Sequence, residues 1–501
     1  MASNRSRSED LMAPLVSADD ICARNSNGSR RSSPGLSWKH PPPPHQDNGE
    51  KGPPELTLAP SIGGAAIAAM SFFNVSGGPW GSEDIFSASD PATGVAGIIF
   101  FAVCFCVPQI LVTAELSCAL PSNGGYSIWV REAFGDFWCF QETYWQWVSG
   151  VADAAVYPVL ICDTVLQLLD RTHVGMVEKI AWRAMTAALL SLPTYVSISR
   201  VPSLLITLAV CTGAPVVAFV LYGLRFFDPA VMYARRTKGP IRYGKFLNVL
   251  FWNLEGWDCI STCTALCAEP RERTIPRGLF VAMVATTVQY VLVLVLAAGV
   301  SEESYPWESW NDGTLPSIGR TVGPWMSALL LGASVAGNAG QYLSEFMEDS
   351  YLLQGAAEVR IVPRFLGKTL PLSGVPWMAN TAQLLIIIVL MSFDFSDILV
   401  FDNFFCATAM ALEFLAYFKL RWHRPDLPRP FRTPTACLPL FIPALMVLVL
   451  VWVHCLSGDA RCINLGALAV GVPYGLWVAA TSRREHEEGH RSGLDHLVED
   501  D

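Results

Sequence analysis

The sequence predicts an all-α polytopic membrane protein of about twelve transmembrane helices, with helices one and six broken in the middle. Three observations lead there. The 501 residues are 52% hydrophobic and 16% charged, whereas soluble domains run at about 25% charged. Apolar runs long enough to cross a bilayer, roughly 20 residues each, recur through most of the chain. Two of these runs, at matching places in two halves, carry residues that no continuous helix tolerates. The net charge of −10 and the pI near 5.4 argue against nucleic acid as a partner.

Residues 1–55 are rich in Ser, Arg, Asn and Pro and end near Pro41-Pro42-Pro43-Pro44. Such a composition buries no core and predicts a disordered tail. It has no apolar segment of the kind that a signal peptide needs. Residues 56–482 form the transmembrane domain, and 483–501 a C-terminal tail. The first six spans are predicted at 61–88, 94–119, 137–168, 178–197, 201–224 and 246–267. The second six are predicted at 276–300, 322–354, 377–393, 397–420, 434–456 and 463–481. An even count puts both tails on one side. Roughly 23 Lys/Arg lie on that side against about 10 opposite, which predicts cytoplasmic termini. One loop runs against the count: Arg225, Arg235, Arg236, Lys238, Arg242 and Lys245 fall on the outer side. Most of the 14 cysteines lie in apolar runs, as Cys106, Cys211 and Cys263 do. They read as small buried hydrophobes.

Span one contains Asn74-Val75-Ser76-Gly77-Gly78-Pro79-Trp80-Gly81. Its glycines and proline interrupt a helical hydrogen-bond ladder. Span six contains Trp252-Asn253-Leu254-Glu255-Gly256-Trp257-Asp258, one glycine with two carboxylates. Non-helical backbone at membrane depth survives only where it lines a cavity or is buried in protein. Interruptions at corresponding positions of two halves point to the binding site of a secondary transporter.

A carboxylate inside a membrane is costly unless paired or hydrated, so each is a functional candidate. The spans hold Glu115, Asp153, Asp163, Glu255, Asp258, Glu345, Asp402 and Glu413, with Arg183 as the main intramembrane cation. A cavity holding unpaired acids favours a cationic ligand and a proton. Tyr144, Trp145, Trp147 and Tyr157 in span three, with Trp252 and Trp257 in span six, offer ring faces to an ammonium group. Asp153 shares a helical stripe with Trp145, Ser149 and Tyr157. Glu115, near the cytoplasmic end of span two, reads as a structural or gating partner. Glu413 and Asp163 read as satisfied near span ends.

At these residues the chain resembles a known family. Val75-Ser76-Gly77-Gly78-Pro79, Thr113-Ala114-Glu115, Pro121-Ser122-Asn123-Gly124-Gly125-Tyr126 and Tyr157-Pro158-Val159-Leu160 occur in order. Phe251-Trp252-Asn253-Leu254, Trp257-Asp258, Glu413-Phe414 and Arg429-Pro430-Phe431 follow. Together they are similar to the amino acid/polyamine/organocation (APC) superfamily, and most to the polyamine uptake transporters of plants and trypanosomatids. The resemblance implies a LeuT-like fold of two inverted five-helix repeats plus two helices. It implies a substrate site between the broken helices, lined also by spans three, eight and ten. Ser76, Gly77 and Gly78 match the unwound part of span one, and Asp153 the cavity face of span three. Trp252 matches the aromatic lid and Asp258 an acidic gate. Glu255 departs from the family pattern as an added carboxylate. Tyr144, Asn253, Glu345 and Asp402 complete the expected substrate site. Glu115, Asp258 and Trp252 are the expected gating or proton-coupling residues.

The function implied is secondary active import of polyamines such as putrescine and spermidine, or of similar organic cations, coupled to protons. No endomembrane retention signal stands at Val498-Glu499-Asp500-Asp501, so the plasma membrane is the expected location. An amino acid carrier or exchanger of the same superfamily is the alternative, since helix N-terminal amides at Ser76-Gly77-Gly78 would hold a substrate carboxylate. A nutrient sensor on the same fold is a third. The loop 170–175 has no cysteine, so no disulfide-linked heavy chain is expected. No enzymatic activity, cofactor or metal is expected. His486-Glu487-Glu488-Gly489-His490 matches H-E-x-x-H, which needs a helix to put both His on one face, but it lies beyond the last span in a charged, glycine-interrupted tail with no core around it and no third ligand placed.

Overall fold

The computed structural model describes residues 62–499, apart from 123, 169–170, 172–173, 197–199, 226, 302–303, 312, 372, 394 and 459. The tail predicted at 1–55 lies outside the described residues. Span one is two pieces, α1 (Gly64–Val75) and α2 (Glu83–Ala88). Then come α3 (Pro91–Ala119) and a short α4 (Gly125–Phe134). The helices α5 (Asp136–Leu168), α6 (Met176–Val196) and α7 (Val201–Gly223) follow. Span six is α8 (Tyr243–Leu254) and a 3-10 segment, Cys259–Leu266. Next are α9 (Arg271–Ser301), α10 (Thr314–Val322), α11 (Pro324–Glu358) and α12 (Trp377–Leu390). The last are α13 (Phe395–His423), α14 (Phe441–Cys455) and α15 (Arg461–Glu499).

All twelve predicted spans carry helix, and α4 and α10 are additions. Among the described residues, seven helices are long and apolar enough to cross a membrane on length and composition alone. The helix α11 is not among them, being loaded with Asn338, Gln341, Glu345, Glu348 and Asp349. It packs against α5 and α7, and α5 packs in turn against α13, α6 and α15. A polar helix is thereby sheltered by others.

Local chemistry sets the helix ends. The Asp90 carboxylate caps α3 by accepting from Thr93 N at 2.9 Å, with Pro91 opening the first turn. Within α3 a π turn covers Ala102–Cys106, just before Pro108. Proline has no amide hydrogen, so the ladder must rearrange there. The turn presents the Cys106 thiol to Leu254 O at 3.2 Å. Leu254 is the last residue of α8, and the Trp257 indole N–H donates to the same carbonyl at 2.8 Å. A helix end that would be left unsatisfied inside the protein is so completed.

The two breaks meet. Gly77, Gly78, Gly81 and Gly256 adopt φ of 49°, 124°, 85° and 88°, a region that side chains disfavour. A Cβ on Gly256 would sit 2.6 Å from Asn74 O. Asn253 Nδ2 donates to Gly81 O at 3.3 Å. On the far side α11 closes in through Gly337, where a Cβ would lie 2.0 Å from Gly77 O. Ile62 N donates to Leu266 O at 3.1 Å and Ala268 N to Ile62 O at 2.9 Å, tying the start of α1 to the end of span six.

Three sequence readings gain structural detail. The loop that opposed the charge count is tied down locally: Lys245 pairs with Asp84 at 2.6 Å, Arg235 with Asp90 at 3.7 Å, and Arg236 and Arg242 both donate to Ser87 O. The carbonyl end of α2, with Asp84 and Asp90 beside it, attracts those cations. Cys211 is exposed on α7 rather than buried. Helix α15 runs through Gly489, so His486 and His490 do lie on a helix. Among the described residues no group of three His, Cys, Asp or Glu fits a metal ion.

Replacing Gly337 by Ala is expected to force α11 off the first break. The cost of such overpacking is about 1–3 kcal/mol. Thermal unfolding of the purified protein should show a lower midpoint for Gly337→Ala, and an unchanged one for Gly332→Ala, whose Cβ would meet nothing within 4 Å.

Candidate functional site

Where the breaks cross α5, α11 and α13, a cavity opens, lined by Asp153, Glu255, Glu345, Glu348, Asp349 and Asp402. Asn74, Tyr126, Gln146, Ser149, Gly150, Cys259 and Cys406 complete the wall. No Lys, Arg or His is among the lining residues. All six acids are buried. The cavity is about 30 Å³, room for two or three waters by the ~10–15 Å³ that each needs. A larger ligand therefore requires the cavity to widen.

The acids are held from several directions. The Tyr157 hydroxyl lies 2.5 Å from Asp153 Oδ2 and 2.6 Å from Glu345 Oε1. A phenol has one proton to give, so it cannot donate fully to both. Asp153 Oδ1 accepts the Trp252 indole N–H at 2.8 Å. Ser149 Oγ donates to Asp402 Oδ1 at 2.5 Å. The Cys406 thiol donates to Glu255 Oε2 at 2.9 Å. Asn74 Nδ2 donates to Glu348 Oε1 at 3.0 Å, and Ser344 Oγ to Asn74 Oδ1 at 2.5 Å. Asp349 occupies space left by Gly150, where a Cβ would lie 2.4 Å from Asp349 Oδ1. Yet Glu345 Oε2, Glu348 Oε2, Asp349 Oδ2 and Asp402 Oδ2 are buried and accept no hydrogen bond. Four such oxygens around one cavity suit a ligand rich in N–H donors and positive charge.

Of the residues expected from sequence, Asp153, Glu255, Glu345 and Asp402 line the cavity, and Trp252 contacts it through Asp153. The others lie elsewhere. Ser76 N and Gly77 N both turn back to Phe72 O, at 2.9 and 3.2 Å, and Gly78 N donates to Ser76 Oγ at 3.2 Å. These three amides are used within the break, because a helix that ends abruptly must satisfy its last carbonyls. Tyr144 donates to Ala467 O at 2.9 Å and so fastens α15 to α5. Asn253 joins the two breaks. Asp258 stands behind the cavity, where Gln109 and Gln146 donate to it at 2.6 and 2.9 Å. Gln146 also donates to Glu413 Oε1 at 2.9 Å. Glu413 is thus deep in α13 and not near a span end.

Two acids do find cations. Glu115 pairs with Arg421 at 2.7 Å and Arg429 at 3.0 Å, and accepts from Thr433 N at 2.7 Å. It joins α3 to α13 and the loop beyond. Asp163 pairs with Lys179 and Arg183, both at 3.1 Å. Arg183 is therefore engaged away from the cavity. Sequence reasoning passed over Glu348, Asp349 and Glu142, although each is an acid inside a predicted span. The criterion that selected the other carboxylates would have found them.

Comparison with known proteins agrees with this architecture. Residues 62–460 match the amino acid permease family. A rice (Oryza sativa subsp. japonica) polyamine transporter is 31% identical over 433 residues, 85% of this chain and 80% of its own. A probable polyamine transporter of Arabidopsis thaliana is 34% identical over 409 residues, 79% of this chain and 82% of its own. A probable agmatine/putrescine antiporter of Lactococcus lactis is 21% identical over 381 residues, 70% of this chain and 78% of its own.

Removing Glu115 leaves two nearly buried guanidinium groups uncompensated. Glu115→Gln is expected to destabilise the protein by about 3–5 kcal/mol. A thermal-shift measurement should show the loss, and should show part of it recovered when Arg421 is also neutralised to Met.

Proposed function

The chain belongs to the amino acid permease family, and on that premise we propose that it imports polyamines such as putrescine and spermidine by alternating access, driven by protons. The cavity carries this reading: six buried acids, no basic side chain, and four carboxylate oxygens without a donor. A polyamine brings several ammonium groups spaced along a flexible chain. Each supplies N–H donors and charge to more than one acid. The names of the rice, Arabidopsis and Lactococcus relatives agree with that chemistry.

The amino acid alternative is weaker on one observation. It needs free amides at the first break to hold a carboxylate, and those of Ser76, Gly77 and Gly78 are already occupied. An acidic cavity also repels a carboxylate. The domain at 56–482 carries transport in this reading, with 1–55 and 483–501 as cytoplasmic tails at the plasma membrane. It has no catalytic role, and no disulfide-linked heavy chain accompanies it. A sensor on the same fold would bind a polyamine without moving it.

Transport follows from geometry. The 30 Å³ cavity must widen to admit a diamine and close behind it. The broken helices are the pieces free to hinge, since α1 and α8 end at the cavity.

Uptake of radiolabelled putrescine and spermidine into cells lacking their own carrier tests the reading. Saturable uptake that collapses with the proton gradient and ignores excess arginine and leucine is expected. Binding without uptake would favour the sensor, and inhibition or exchange by an amino acid would favour the exchanger. Glu255→Gln, Glu345→Gln and Asp402→Asn should each raise the spermidine KM by about tenfold or more, the scale of one lost charge contact. Normal spermidine transport by all three would remove the carboxylate cavity from the account.

A further inference from the structure

Behind the cavity lies a second acid group, made by Glu142 of α5, Asp258 of the second break and Glu413 of α13. All three are at most 1% exposed. Gln146 Nε2 donates at 2.9 Å to both Asp258 Oδ2 and Glu413 Oε1, which brings those two carboxylates to one amide, and Glu142 adjoins Glu413. Carboxylates only accept, so two of them can bond only with a proton between them. No protein donor reaches either oxygen of Glu142, and the buried Gln109 Oε1 beside the group also lacks a donor. The other titratable groups facing Asp258 are Tyr126 of α4, Glu255 and Cys259 beside the break, Glu348 of α11 and Cys406 of α13. None of these is a base able to neutralise the acids.

Gln146 forms the partition between this group and the cavity. Its side chain lines the cavity, while its Nε2 donates both hydrogens outward, to Asp258 Oδ2 and Glu413 Oε1. Glu142 and Glu413 sit on unbroken helices, whereas Asp258 sits beside Gly256 at the break. A hinge at the break therefore moves one acid relative to the other two. Separation removes the contact that requires the proton.

Resting on the transporter reading above, we propose that Glu142, Asp258 and Glu413 form the proton-coupling site, distinct from the carboxylates that hold the cation. The proton bound between Glu413 and Asp258 leaves when the second break swings, and it returns when the break resets. Cation and proton thus bind to different acids, joined mechanically through Gln146 and the break.

The test uses the full-length protein in liposomes with the membrane potential clamped at zero. Wild type should exchange labelled putrescine at equal pH and accumulate it about tenfold per proton for each unit of pH difference. Glu413→Gln and Glu142→Gln should keep exchange within about twofold, since neither residue lines the cavity, yet lose the accumulation. Full accumulation by both variants overturns the proposal. So does joint loss of exchange and accumulation in protein that remains monodisperse, which would assign these acids to the cation or to the fold. Absence of exchange in wild type would instead defeat the polyamine reading. Infrared difference spectra of the purified protein need no substrate: a protonated-carboxyl band should weaken in Glu413→Gln, and an unchanged band overturns the proposal by itself.

Discussion

Six carboxylates around one cavity, with no basic side chain among them, cannot all carry charge at once in a protein interior. Protons or an incoming cation must compensate them. That requirement orders the rest of the molecule. It explains why α11, too polar to lie alone in lipid, is packed between α5 and α7. It explains why hydroxyl and amide donors meet one oxygen of Glu345, Glu348 and Asp402 and leave the other open. It also explains why basic residues are kept elsewhere: Arg183 by Asp163, and Arg421 and Arg429 by Glu115.

The breaks make such a cavity possible. A continuous helix presents only side chains, and its backbone groups are already paired. Ending α1 at Val75 and α8 at Leu254 lets the chain turn around the acids. The exposed ends are then satisfied at short range, by Trp257 and Cys106 at Leu254 and by the amides of Ser76 and Gly77 at Phe72. Gly256 and Gly337 let backbone approach backbone where any larger residue would stand in the way. Contacts through glycine interlock no side chains, so the surfaces can part and meet again.

One residue type therefore has three fates. Glu115, with two arginines, is a fixed tie. Among the cavity acids, Glu345, Glu348, Asp349 and Asp402 keep an open oxygen for a ligand. The group at Glu413 has no cation, and Gln146 bridges its two carboxylates Asp258 and Glu413. Distance from a cation decides which fate applies.

Sequence alone determined the membrane class, the twelve spans, both interruptions and most of the acids that line the cavity, because apolar length, glycine and proline placement and intramembrane charge are local properties. Asp153, Glu255, Glu345 and Asp402 were legible on that basis. Tertiary structure alone decided which acids meet. Glu413 reads as a satisfied span-end residue until α5 brings Glu142 and Gln146 against it. Tyr144 reads as a cavity aromatic until α15 takes its hydroxyl. The Ser76–Gly78 amides read as ligands until the local turn consumes them. A break tells where a helix stops but not where its loose ends point, since direction depends on packing between residues far apart in the chain.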